Sequence, residues 1–150
     1  LARKKLDESR LDSIRDAHNA EKASRTTRME DYLEVIYELI QLKGYATTVD
    51  ISNYLNVSSP SVTKMLQRLN ESGHVNYEKY RGITLTDTGT AIAKSMHERH
   101  GILTEFLVMI GVDIETANRD AEGIEHYLHP ETLKKLEEFI KLTKSQRLAR

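Results

Sequence analysis

Residues 58–86, SSPSVTKMLQRLNESGHVNYEKYRGITLT, decide the fold. Val62, Met65, Leu66 and Leu69 recur at the i, i+3, i+4, i+7 spacing of a helix with one apolar stripe. Ser59 is expected to cap this helix and Pro60 to take its first position, where a missing N–H costs nothing. Ser72 and Gly73 stop it. The apolar period then falls to two. Val75 alternates with Tyr77, and Ile83 with Leu85, about a turn at Arg81 and Gly82, as in a two-stranded hairpin.

Upstream, TTRMEDYLEVIYELIQLKGY reads as a helix opened by a capping box of Thr27 and Glu30. Leu33, Ile36, Tyr37 and Ile40 carry its apolar face and Gly44 ends it. A shorter helix follows in TTVDISNYLNV, with Ile51 and Leu55 inward. Helix, helix, helix, hairpin is the order of a winged helix-turn-helix. Downstream the spacing predicts a long helix from Asp87 to Ile110 on Ile92, Met96, Leu103 and Leu107, stopped by Gly111. Two more follow, from Asp113 to Leu128 on Ala117, Ala121, Ile124 and Leu128, and from Pro130 to about Ser145 on Leu133, Leu136 and Ile140. The fold class expected is therefore mainly α, an N-terminal winged helix-turn-helix with a two-stranded wing followed by an all-α domain. The expected domains are an N-terminal extension at 1–28, read as a marginal helix or tail on Leu6, Leu11 and Ile14, a winged helix at 29–90 and a helical domain at 91–145.

The 150 residues contain no cysteine. Disulfides, thiolate zinc sites and thiol nucleophiles are thereby excluded, and any metal must be held by carboxylate, imidazole, carbonyl or water. No apolar run approaches the roughly 18 residues of a membrane span, and no signal-peptide core opens the chain, so a soluble cytoplasmic protein without a membrane partner is expected. With 22 basic and 23 acidic residues the net charge is −1, which decides nothing. Its distribution is more telling. Residues 58–86 hold four basic and two acidic residues, whereas 105–138 hold three basic and nine acidic ones, a division that suggests two tasks on one chain.

In the helix beginning near Ser59 the apolar stripe leaves Ser61, Thr63, Lys64 and Gln67 facing outward. Such groups reach base edges and phosphates in a major groove. An ordinary amphipathic helix would show the same polar face. The hairpin favours the DNA reading, because Lys79, Tyr80 and Arg81 at its tip would straddle a neighbouring backbone or minor groove.

Three separated pieces bear on metal: Asp31 with Glu34 at i, i+3, then His100, then Glu122, Glu125 and His126, which share one arc if 120–129 is helical. Each has a plainer explanation. Acids near a helix start meet the helix dipole, and a histidine can be a half-buried polar residue. No nucleophile with a base at a recognisable spacing and no Gly-rich phosphate loop appears, so the chain is not expected to be an enzyme and no small-molecule substrate is expected. A di-metal carboxylate enzyme is the one enzymatic reading left. Helix-bundle sites of that kind use Glu-x-x-His twice, whereas Glu125 and His126 are adjacent and occur once.

MEDYLEVIYELI, SPSVTKMLQRL, YEKYRGITLTDTG, ERHGILTEFL and RDAEGIEHYL, in this order, resemble the manganese-responsive branch of the diphtheria toxin repressor family over about residues 29–142. The resemblance implies a homodimeric winged-helix repressor whose C-terminal helices dimerise and bind metal where they meet the DNA-binding domain. It implies Asp31, Glu34, His100, Glu122, Glu125 and His126 as ligands of Mn(II), in a site expected to be binuclear. The iron-responsive branch has Met and Cys where Asp31 and Glu122 stand; oxygen donors at both suit a harder ion. Ser59, Pro60, Ser61, Thr63, Lys64 and Gln67, with Tyr80 and Arg81 in the wing, would face DNA. The extra C-terminal domain that iron-type relatives often carry is not expected.

The function expected is a Mn(II)-responsive repressor that binds a palindromic operator as a homodimer and controls manganese homeostasis genes. The alternative is a metal-independent winged-helix protein whose acidic cluster is structural.

Overall fold

The computed structural model describes residues 10–15 and 21–150. The N-terminal extension therefore lies in part outside the described residues. Within it, residues 10–15 are helical, and Leu11 and Ile14 are exposed there.

Three helices come first: α1 (Glu21–Lys43), α2 (Thr48–Leu55) and α3 (Ser59–Glu71). An antiparallel hairpin of β1 (Val75–Glu78) and β2 (Gly82–Leu85) follows, in the register Val75 opposite Leu85 and Tyr77 opposite Ile83. Three more helices complete the chain: α4 (Asp87–Met109), α5 (Ile114–Ile124) and α6 (Pro130–Leu148). Winged helix, wing and C-terminal helical domain thus stand in the expected order.

Leu33 and Ile36 of α1, Ile51 of α2, and Val62, Leu66 and Leu69 of α3 close one core with Val75, Ile83 and Ala93. Each fully buried Leu or Ile contributes about 2 kcal/mol of apolar transfer, so the predicted stripes are the main force holding the domain. The α4 helix packs against α1 and also against α5 and α6. It ties the two domains together.

The wing is pinned at its root. Thr86 caps α4 through Gly89 N–H (3.1 Å), and its hydroxyl donates to the Gly73 carbonyl (2.7 Å). Thr86 N–H donates to the His74 carbonyl (3.1 Å). Gly89 packs so closely there that an added Cβ would stand 1.9 Å from that same carbonyl oxygen. At the tip, Tyr80 is left-handed (φ 70°) and 92% exposed, a conformation costly for an aromatic side chain and unrewarded by any burial.

Four boundaries differ from the sequence reading. The first helix opens at Glu21, so Thr27 and Glu30 lie inside it and not at its start. Ser58, not Ser59, caps α3 by accepting from Ser61 N–H (3.3 Å); either of two adjacent serines has the chemistry, and the upstream one has the extended backbone a cap needs. The fifth helix ends at Ile124 instead of Leu128. The last runs on to Leu148.

Candidate metal centre

The opening of α1 at Glu21 removes the plainer account of Asp31 and Glu34. Both lie well beyond the first turn, where the helix dipole has faded. They face the other two pieces instead. Asp31, Glu34 and His126 each offer a ligand atom, and the three atoms lie within 4.8 Å of one another; His100, Glu122 and Glu125 do the same.

The end of α5 makes this possible. Glu125 N–H still closes the helix on the Ala121 carbonyl (2.9 Å), but the chain then turns instead of continuing. Arg99 of α4 donates to the carbonyls of Glu125 (3.1 Å) and Leu128 (2.9 Å), holding the turn from outside. Glu125 and His126 are thereby buried against α1 and α4, while Glu122, one turn back on α5, stays exposed.

Each histidine has one nitrogen engaged away from the centre. His126 Nδ1 donates to Glu30 Oε2 (2.7 Å), which leaves Nε2 facing Asp31 Oδ1 (3.0 Å) and Glu125 Oε1 (3.8 Å). Asn118 Nδ2 donates to the Ile114 carbonyl, so its Oδ1 accepts from His100 Nε2 (2.9 Å). His100 Nδ1 is then directed at Glu125 Oε2 (2.9 Å) and Glu122 Oε1 (3.3 Å). Both rings present a lone pair to the carboxylates, the orientation a metal ligand requires.

The carboxylates are poised against ionising. Burial, then the charges of Glu125 and Glu122, pushes Glu34 up to about 8. Burial, then Glu122, pushes Glu125 up to about 8. Asp31 is raised as well, burial leading and His126 opposing. Among the described residues, the buried Glu34 Oε1 and Glu125 Oε1 have no hydrogen-bond partner. Buried acceptors without donors, beside oriented imidazoles, fit a divalent cation as the missing partner.

All six residues singled out from the sequence are brought together. Glu30, Asn118 and Arg99 were not foreseen. Their partners lie in other elements, and no local spacing marks them.

The DNA-facing candidates lie on one side of α3 and at the wing tip. Ser59, Pro60, Ser61, Lys64 and Gln67 are exposed, as are Tyr80 and Arg81, whereas Thr63 is half-buried. Arg81 pairs with Glu78 (3.0 Å), and Lys79 lies over the Tyr80 ring at 5.3 Å. Arg68 adds a further cation to the exposed side of α3.

Residues 25–83 match the family described as iron dependent repressor, N-terminal DNA binding domain, and residues 86–146 match its metal binding and dimerisation domain. A transcriptional regulator MntR of Lysinibacillus sphaericus is 46% identical over 117 residues, covering 78% of this chain and 84% of that protein. The MntR of Bacillus velezensis is 52% identical over 103 residues, covering 69% and 72%. The solved manganese regulator SloR is 28% identical with a TM-score of 0.66, covering 75% of this chain and 53% of its own. The chain thus spans about half the length of that solved regulator.

Proposed function

The chain belongs to the iron dependent repressor family, a family of metal-responsive transcriptional repressors and not of enzymes, and from that premise we propose that manganese is the ion it responds to. The observation that carries this reading is the meeting of Glu34 and Glu125 from two domains, each with a buried oxygen that no donor reaches. A donor set of carboxylates and imidazoles without sulfur suits a hard divalent ion, and its two groups of three side chains support a binuclear site.

Bound there, the cation supplies the positive charge that lets Asp31, Glu34, Glu122 and Glu125 lie together ionised. The chain's own residues do the rest. Asp31 and Glu34 hold α1, and with it α3, against the C-terminal domain; His100 holds α4; Glu30 and Asn118 keep the two rings aimed. Gathering these residues favours one arrangement of α3 relative to the dimerisation domain, and hence one separation of two recognition helices in a homodimer. That arrangement would fit a palindromic operator, with Ser59, Pro60, Ser61, Thr63, Lys64 and Gln67 in the major groove and Tyr80 and Arg81 beside it. The regulated genes would be those of manganese homeostasis, in the cytoplasm.

The test is binding of purified protein to labelled genomic fragments in chelator, in Mn²⁺ and in Fe²⁺ at one salt concentration. Sequence-specific binding in Mn²⁺ that is lost in chelator is expected. Equal binding in all three would sink the proposal.

A further inference from the structure

Between α1 and α3 lies a cavity of about 510 Å³ lined by Arg28, Asp31, Lys64 and Arg68, with Ser61 and Tyr32 beside them. Arg28 and Asp31 come from α1, one helical turn apart; Lys64 and Arg68 come from α3, also one turn apart. Two helices thus direct three cations into one opening on the recognition-helix side of the molecule. Arg28 is close enough to Tyr32 for its charge to act on the buried ring. Among the described residues no carboxylate pairs with Arg28, Lys64 or Arg68, in contrast to Arg81 and Arg119, which pair with Glu78 and Glu115. We propose that this cleft grips a backbone phosphate of the operator, with Arg28 of α1 as a DNA contact, and that Asp31 in the same cleft makes the grip depend on metal.

The coupling is one of charge at short range. An ionised Asp31 lines the same cleft as the three cations and opposes a phosphate held there, although its Oδ1 is directed at His126 Nε2 (3.0 Å) in the metal centre. An Asp31 whose charge is taken up by a divalent cation does not. The sign agrees with metal-dependent DNA binding and needs no large movement of α1. The phosphate grip itself rests on the charges alone; the metal dependence rests on the function proposed above.

Salt-dependent binding to a genomic fragment selected by this protein and to random-sequence DNA separates the two parts. In Mn²⁺, Arg28→Gln and Arg68→Gln should each weaken both DNAs by about ten-fold and lower the slope of log K against log salt by about one per subunit. Arg28→Lys should recover most of the loss, and Arg119→Gln, remote on α5, should change neither quantity. In chelator, Asp31→Asn should bind random DNA about three-fold more tightly than the unaltered chain, a gain that Arg28→Gln removes. An Arg28→Gln protein with unchanged affinity and slope overturns the phosphate grip. An Asp31→Asn protein that gains nothing in chelator overturns the coupling. If the unaltered chain ignores Mn²⁺ while Arg28→Gln still loses slope, the grip stands and the manganese reading falls.

Discussion

The carboxyl groups of Glu34 on α1 and Glu125 at the end of α5 lie close enough for each to act on the other's ionisation, and each keeps a buried oxygen without a donor. One sits in the DNA-binding half and the other in the C-terminal half. Their mutual repulsion is therefore a force between domains.

That repulsion sets a pH dependence. Glu34 and Glu125 ionise near 4.5 in an unfolded chain but near 8 in the folded, metal-free protein. Between those values the folded state holds more protons than the unfolded one, so stability is greatest below the lower value and falls as pH rises through the upper. The melting temperature of metal-free protein should drop between about pH 5 and about pH 8. Mn²⁺ affinity should rise over the same window and level off above it, because binding expels those protons. A metal-free melting temperature that climbs across the window would contradict the assignment.

Glu30 is expected to matter through His126. Glu30→Gln keeps the shape but removes the charge that holds the Nδ1–H, so the imidazole loses its fixed orientation. Titration with Mn²⁺ followed by electron paramagnetic resonance should show affinity lowered by about ten-fold or more, with thermal stability of the metal-free protein little changed. Equal affinity would leave Glu30 a bystander.

Gly89→Ala tests the wing root. The new Cβ meets a backbone carbonyl, which cannot swing aside as a side chain would, so α4 or the His74 strand entry must shift. A loss of about 3 kcal/mol is expected, seen as a melting temperature lower by roughly 10 °C. A shift below about 2 °C would mean that the root relaxes freely.

The corner between α4 and α5 exposes Val108, Ile110 and Ile114, three large apolar groups close in sequence within the matched dimerisation domain. Exposed apolar clusters of this kind mark interfaces. Ile114→Lys should shift sedimentation from dimer to monomer while Mn²⁺ binding persists. A variant that stays dimeric would place the interface elsewhere.

Much of this architecture was legible in residue spacing, and the exceptions share a cause. The stripes of α3 and the alternation of the hairpin could be read because burial there follows the local period. The start of α1 could not, since Thr27 and Glu30 mimic a capping box inside a longer helix and the real partner of Glu30, His126, comes from the other domain. The apolar period of α5 continues to Leu128, yet the helix stops at Ile124 and Arg99, from another element, takes the carbonyls of the turn that follows. The six ligand candidates were visible as three pieces. Their convergence is a tertiary fact, and the family resemblance rather than periodicity pointed to it.

The α4 helix is also a lever. Its 23 residues form a rod about 34 Å long, with the wing root at one end, the exposed apolar corner at the other and His100 between them. A tilt of about 5° moves one end of such a rod by about 3 Å relative to the other, close to the ~3.4 Å that separates neighbouring bases along a DNA strand. A change in the tilt of α4 set by the side chains that gather around His100 would therefore be felt at the wing root on the scale of one base step.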